Sequence, residues 1–160
     1  MCFYIEQSNK SEKTASMDIL CFKIVSADCS NWHGNLFDNH IKYDRYKLYH
    51  AKYYDGTRLS NLSVTSEYPD DTRKIINEGI HSYSVNNKNG CSHLYTSVGL
   101  NFRFIKKVLF FVIPKGSKYY YNSERYEYVS VNVKRISKKK FKELLLINKG
   151  KRLYDIAFKN

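Results

Sequence analysis

The side chains with the plainest chemical capacity in this sequence are cationic. Lys134, Arg135, Lys138, Lys139, Lys140, Lys142, Lys149, Lys151 and Arg152 put nine positive charges into nineteen residues, opposed there only by Glu143. Such side chains neutralise phosphates and release their counterions, the sequence-independent part of nucleic-acid binding. Tyr119, Tyr120, Tyr121, Tyr126 and Tyr128 stand just upstream, and an aromatic face stacks an unpaired base with a gain of about 1–3 kcal/mol. The pattern predicts a polyanion-binding surface built from the nine cations with Tyr119, Tyr121 and Tyr128. RNA, or a ribonucleoprotein complex, is the expected partner, because single strands and loops present bases that can be stacked.

The charge has a direction along the chain. Lys+Arg number 27 and Asp+Glu 15, a formal net charge of +12. Residues 1–80 hold 10 basic and 11 acidic side chains, net −1, whereas residues 81–160 hold 17 and 4, net +13. A coding bias toward Lys, Asn, Ile and Tyr accounts for part of the composition but not for this asymmetry. A field this localised steers a polyanion to one surface.

Other chemistries lack their residues. The sequence has no G-x-x-x-x-G-K-[ST] phosphate loop, no G-x-G-x-x-G fingerprint and no signature of the common RNA-binding modules. Cys2, Cys21, Cys29 and Cys91 show no C-x-x-C spacing, so reduced thiols are expected. Cys91 and His93 offer two zinc ligands, but no second close Cys/His pair completes a tetrahedral set. Asp70-Asp71 reads as a helix cap rather than a metal site, and Cys29 or Cys91 as a nucleophile would need a nearby His and a lowered pKa. No metal and no cofactor are expected.

These groups need a scaffold, and the composition supplies one. The chain has 160 residues, with 42% hydrophobic and 16% aromatic side chains, enough to build a core and too many for a disordered chain. Residues 1–16 are expected to form a flexible arm, and 17–160 a single domain with a strongly basic segment over 134–152. Asp18–Ser26 reads as a first core strand, Tyr43–Tyr54 as an aromatic strand ending in an Asp55-Gly56 hairpin turn, and Leu59–Val64 as the return. A short helix is predicted over Thr72–Asn77, stopped at Gly79. Val108–Ile113 reads as a strand buried on both faces, followed by a type I turn counted from Ile113. Tyr128–Lys134 alternates so that Val129, Val131 and Val133 share a face. Ser137 caps a helix over Lys138–Asn148 whose Phe141, Leu144 and Leu145 form its apolar stripe. Leu153–Phe158 suggests a last strand. The expected class is α+β, a mostly antiparallel twisted sheet with one or two short helices. With no signal-peptide pattern and a longest apolar run of six residues, Val108–Ile113, the expectation is a soluble cytoplasmic protein that makes no membrane contact.

Two resemblances add functional expectations. Lys47-Leu48-Tyr49-His50-Ala51, Glu78-Gly79-Ile80-His81-Ser82-Tyr83 and Arg125-Tyr126-Glu127-Tyr128-Val129 occur in an order that resembles the three motifs of diphtheria-toxin and poly-ADP-ribose-polymerase type ADP-ribosyltransferases. The resemblance implies NAD as cofactor, His50 holding the nicotinamide ribose, Tyr83 or Tyr95 stacking, and Glu127 stabilising an oxocarbenium-like transition state. Ala51 stands where that family has Gly, and His81 where it has its first stacking Tyr. Separately, Cys21–Val25, Gly79–Tyr83, Ile113–Tyr120 and Tyr128–Ser130 together resemble small uncharacterised proteins of bacteriophages and mobile elements. That implies an accessory, anti-CRISPR-like role in a host cytoplasm: occupation of a nucleic-acid-guided enzyme, with more binding than catalysis. A virion or scaffold component using the basic face on a genome is the further alternative.

Overall fold

The computed structural model describes residues 3–5, 12–26, 28–30, 41–52, 55–60, 62, 64–66, 74–76, 79–85, 106–123 and 126–147. The strands are β1 (Phe3–Ile5), β2 (Lys13–Thr14), β3 (Ile19–Ser26), β4 (Leu48–His50), β5 (Val64–Ser66), β6 (Lys74–Ile76), β7 (Ile80–Ser84), β8 (Lys106–Ile113), β9 (Lys118–Asn122), β10 (Glu127–Ser130) and β11 (Asn132–Ile136). Among the described residues there is one helix, α1, running through 138–147. Strands β1, β6 and β5 form a small sheet, and the other eight form a sheet ordered β2-β9-β10-β7-β3-β8-β11-β4. Every pairing is antiparallel. The class is the expected α+β fold.

The centre is the β3–β8 pair, in register from Ile19 opposite Ile113 to Ser26 opposite Lys106. Both strands carry apolar residues on both sides because both sides are covered. On one face Cys21, Val25, Leu109, Phe111, Ile113 and Val133 pack beneath Tyr43 and Tyr49. On the other, Leu20, Phe22, Phe110 and Val112 pack beneath Phe141 and Leu145 of α1, with the Phe110 and Phe141 ring centroids 4.6 Å apart.

Only Val131 separates β10 from β11. Its amide donates to the Lys118 carbonyl at 3.1 Å, extending the β10–β9 ladder, and its carbonyl accepts from the Ala51 amide at 2.8 Å, extending the β11–β4 ladder. The path β10-β7-β3-β8-β11 therefore leaves and rejoins one stretch of chain, and the sheet coils back on itself. Directly opposed residues share a face, which puts Tyr128 with Ser82, Ser84 with Cys21, and Arg135 with Phe111 on the inner face. Tyr128 is even-numbered and Arg135 odd, so the alternation slips by one at Val131, as at a bulge. Val129, Val131 and Val133 are all buried in the same core cluster, although the slip breaks the strict alternation between them.

Several local expectations need correcting. Residues 74–76, predicted helical, form β6 between β1 and β5: β-branched Ile75 and Ile76 suit a strand, and two neighbours supply the hydrogen bonds. Residues 12–16, assigned to a flexible arm, include β2, and Ala15 is buried with its amide donating to the Ser117 carbonyl at 2.9 Å. The Asp55-Gly56 turn is present, but Lys52 bridges to Arg58, so the loop is longer than two residues. Only Gly56 of the pair has positive φ, at 88°, while the Asp55 carboxylate accepts from the Thr57 amide at 2.9 Å. Val64 leaves that hairpin for the small sheet. After β8, the Ser117 amide donates to the Pro114 carbonyl at 3.0 Å, so Gly116, with φ 89°, is the third turn residue, as a type II turn requires. The predicted strand at 153–158 lies outside the described residues.

Candidate nucleic-acid interface

The helix start is built as its sequence suggests. The Lys140 amide donates to Ser137 Oγ at 3.1 Å and the Phe141 amide to the Ser137 carbonyl at 2.9 Å, an N-cap. With Phe141 and Leu145 buried against the sheet, Lys138, Lys139 and Lys140 are exposed and Lys142 is half-buried. Lys134 is exposed on β11 opposite Val112 and Leu48, on the same face of the sheet as α1. Lys149, Lys151 and Arg152 lie outside the described residues.

What joins this cluster from elsewhere is the segment entering β4, residues 43–47. Its geometry follows from three tyrosines with different burial. Tyr43 is fully buried, edge-on to Tyr49 at 4.9 Å and to Phe111 at 5.3 Å. The Tyr49 phenol donates to the Arg45 carbonyl and accepts from the Arg45 amide, each at 2.9 Å, which pins the bend. Burial is the main cause raising the Tyr49 pKa, with the Arg45 backbone contact opposing it. Arg135 completes the clamp: its amide donates to the Lys47 carbonyl at 3.0 Å, Nη1 donates to the Tyr43 carbonyl at 2.8 Å, and its guanidinium carbon lies 4.5 Å from the centroid of the Tyr46 ring. Tyr46 itself is 65% exposed. Lys47 Nζ sits 5.1 Å from the Tyr49 ring centroid, and Arg45 is exposed.

Arg45 and Lys47 enter β4 beside Arg135, the β4–β11 pairing brings Leu48 opposite Lys134, and the three helix-start lysines follow along the chain, with Tyr46 exposed against the Arg135 guanidinium. Among the described residues no carboxylate forms an ion pair with these cations. Arg45, Tyr46 and Lys47 were not among the sequence-derived candidates. The signal available for them was the run Lys42-x-x-Arg45-Tyr46-Lys47, a basic and aromatic mixture of the kind that marks 119–142.

Tyr119, Tyr121 and Tyr128 stand elsewhere. They form their own cluster on the inner face, with Tyr128 at 4.8 Å from Tyr121 and 5.9 Å from Tyr119 between ring centroids. Ser84 hydrogen-bonds the Tyr121 and Tyr128 side chains, and burial is the leading cause holding both phenols above their ordinary pKa. Eight residues of chain separate Tyr128 from Ile136, up to ~26 Å at strand spacing. They pack on one another, each partly buried, several strand residues along the chain from the helix-start lysines.

The remaining candidates are also dispersed. Glu127 and Tyr83 face each other directly across the β10–β7 ladder, and Tyr83 packs on Phe22 at 5.5 Å. His50 is on β4 opposite Asn132 at the start of β11; its Nδ1 hydrogen-bonds Asn132 Oδ1, and Asn132 Nδ2 donates to Ser117 Oγ at 3.3 Å. Within the sheet, Lys23 is 4% exposed, donating to the His81 carbonyl with Nζ 5.3 Å from the Tyr43 ring centroid. Burial pushes the neighbouring Cys21 thiol up to about 12 against the opposing Ser82 hydrogen bond and Lys23 charge, which leaves it protonated and unreactive. Cys29 is likewise buried. Tyr95, Cys2 and Cys91 lie outside the described residues. Among the described residues no group of three His, Cys, Asp or Glu is placed to hold a metal ion, and no helix is long and apolar enough to cross a membrane. No protein family, curated protein or solved structure matches the chain.

Proposed function

We propose that the protein binds RNA, free or within a ribonucleoprotein effector complex, through the basic edge formed by β4, β11 and the start of α1, and that it acts by occupying that partner. The observation that carries this reading is the convergence of cations distant in sequence, Arg45 and Lys47 with Lys134 and Lys138–Lys140, on one edge. Six phosphate-seeking groups drawn together by the β4–β11 pairing give multidentate contact, whereas scattered surface lysines do not. Three lysines in a first helical turn oppose the helix dipole, and a polyanion laid across that turn relieves them. Occupation of this kind suits an accessory protein that blocks a nucleic-acid-guided enzyme.

The test is gel-shift or anisotropy titration of RNA across a salt series. Binding should weaken linearly in log K against log[salt], at about −0.7 per phosphate neutralised on a single strand. Changing Lys138, Lys139, Lys140 and Lys142 to Glu alters four charges by two units each and takes the net charge from +12 to roughly +4. That variant should lose most of its affinity. A salt-independent K, or unchanged binding by the variant, overturns the reading.

A further inference from the structure

We infer that Tyr46 is a base-stacking platform that makes this edge selective for single-stranded RNA over duplex, an inference that rests on the RNA-binding reading above. The ring is 65% exposed. Arg135 covers it at 4.5 Å from guanidinium carbon to ring centroid, so the tyrosine is backed by a cation and open to solvent. A cation on one face of the ring leaves the other to take a base, and the guanidinium is positioned for a phosphate of the same strand.

The platform is preorganised. Tyr46 lies between Arg45, whose amide and carbonyl are both held by the Tyr49 phenol, and Lys47, whose carbonyl is held by the Arg135 amide. Arg135 is itself fixed by the Tyr43 carbonyl, and Tyr43 is fully buried. Little backbone freedom remains to be lost when a base lands, so stacking energy appears as affinity. In a duplex the bases are already stacked on each other and offer no face to Tyr46. The neighbouring Lys47, Lys134 and helix-start lysines still read duplex phosphates, so duplex binding persists without the stacking contribution.

The experiment is anisotropy titration of a labelled single-stranded RNA 12-mer and the corresponding duplex with wild type, Tyr46→Ala, Tyr46→Phe and the four-lysine variant. Thermal melts check that each is folded. Tyr46→Ala should weaken single-strand binding by about 5- to 150-fold, the span of one lost stacking contact. Duplex binding and the salt slope should be unchanged, and Tyr46→Phe, which keeps the ring, should bind within about threefold of wild type. Equal loss on both RNAs, or none on the single strand while the lysine variant loses both, overturns the stacking platform and leaves the basic edge standing. If wild type binds neither RNA, the RNA-binding reading falls and the platform with it.

Discussion

Lys140 is the residue at which folding and the proposed function pull in opposite directions. Ser137 caps α1 through the Lys140 amide at 3.1 Å, which is half of a capping box; the other half needs Glu or Gln at this third helical position, whose side chain reaches back to the cap amide. The protein has a cation there, the third of three in a turn that carries about half a positive charge. Lys140→Glu removes one unfavourable charge–dipole contact, adds a favourable one and completes the box. At an exposed site each charge–dipole effect is about 0.3–1 kcal/mol, so a net gain of about 1 kcal/mol is expected, or about 2–4 °C in Tm for a chain of this size. The same change removes a phosphate contact, reducing the salt slope by about 0.7 on a single strand and lowering affinity. Scanning calorimetry or fluorimetry at low and high salt, paired with the anisotropy titration, reads both signs. The Tm gain should shrink as salt screens the dipole. A lower Tm, or a higher Tm with unaltered RNA affinity, refutes the argument that these lysines are kept for a polyanion at the expense of the helix.

Three further outcomes follow from the packing and the buried groups. Phe141→Ala removes a ring 1% exposed that seats α1 on Phe110, and should cost about 3–5 kcal/mol in urea unfolding. Gly79→Ala adds a Cβ at φ 131°, 2.5 Å from Val129 Cγ1 and 2.8 Å from Leu62 Cδ2; both neighbours are buried, so destabilisation by about 1–3 kcal/mol is expected in the same assay. Cys21 is pushed up from 9.0 to about 12, so above pH 9 the unfolded chain gives up this proton while the folded one keeps it. Its contribution is therefore complete below pH 9 and declines as pH rises toward 12, at up to about 1.4 kcal/mol per pH unit. Burial raises Tyr49, Tyr120, Tyr121 and Tyr128 as well, which adds to the decline above pH 10. Urea midpoints from pH 8 to 11 should fall less steeply in Cys21→Ser, and an equal fall in both proteins would show that this thiol is not responsible.

The parts of the fold that could be read from sequence are those where one local pattern decides. β8 is a continuous apolar run because α1 and Tyr43 cover its two faces, and α1 itself follows from a cap and a stripe at helical spacing. The misread parts depend on partners far along the chain. Residues 74–76 are held as a strand by β1 and β5, and the two β-branched isoleucines within the segment are too short a signal to announce that pairing. The tyrosines of 119–128 and the lysines of 134–140 are close in sequence, which suggested one surface. They are separated because an extended chain moves ~3.3 Å per residue and carries the lysines away. The aromatic that does join the cations, Tyr46, comes from about ninety residues earlier through the β4–β11 pairing.

The slip at Val131 is what makes that pairing useful. Had the alternation of β10 continued unbroken, Arg135 would share the outer face with α1 and Lys134 would point into the core. With the parity changed, Lys134 turns outward beside the helix-start lysines, and Arg135 turns toward Phe111, where the Tyr43 carbonyl and the Tyr46 ring receive its guanidinium. A buried Lys134 would lack such a receptor, and an unpaired charge in the core costs several kcal/mol. The break in the strand thus serves stability and surface chemistry together. It gives the inward position to a cation whose guanidinium has a carbonyl and a ring to receive it, and it fastens the β4 bend that presents Tyr46.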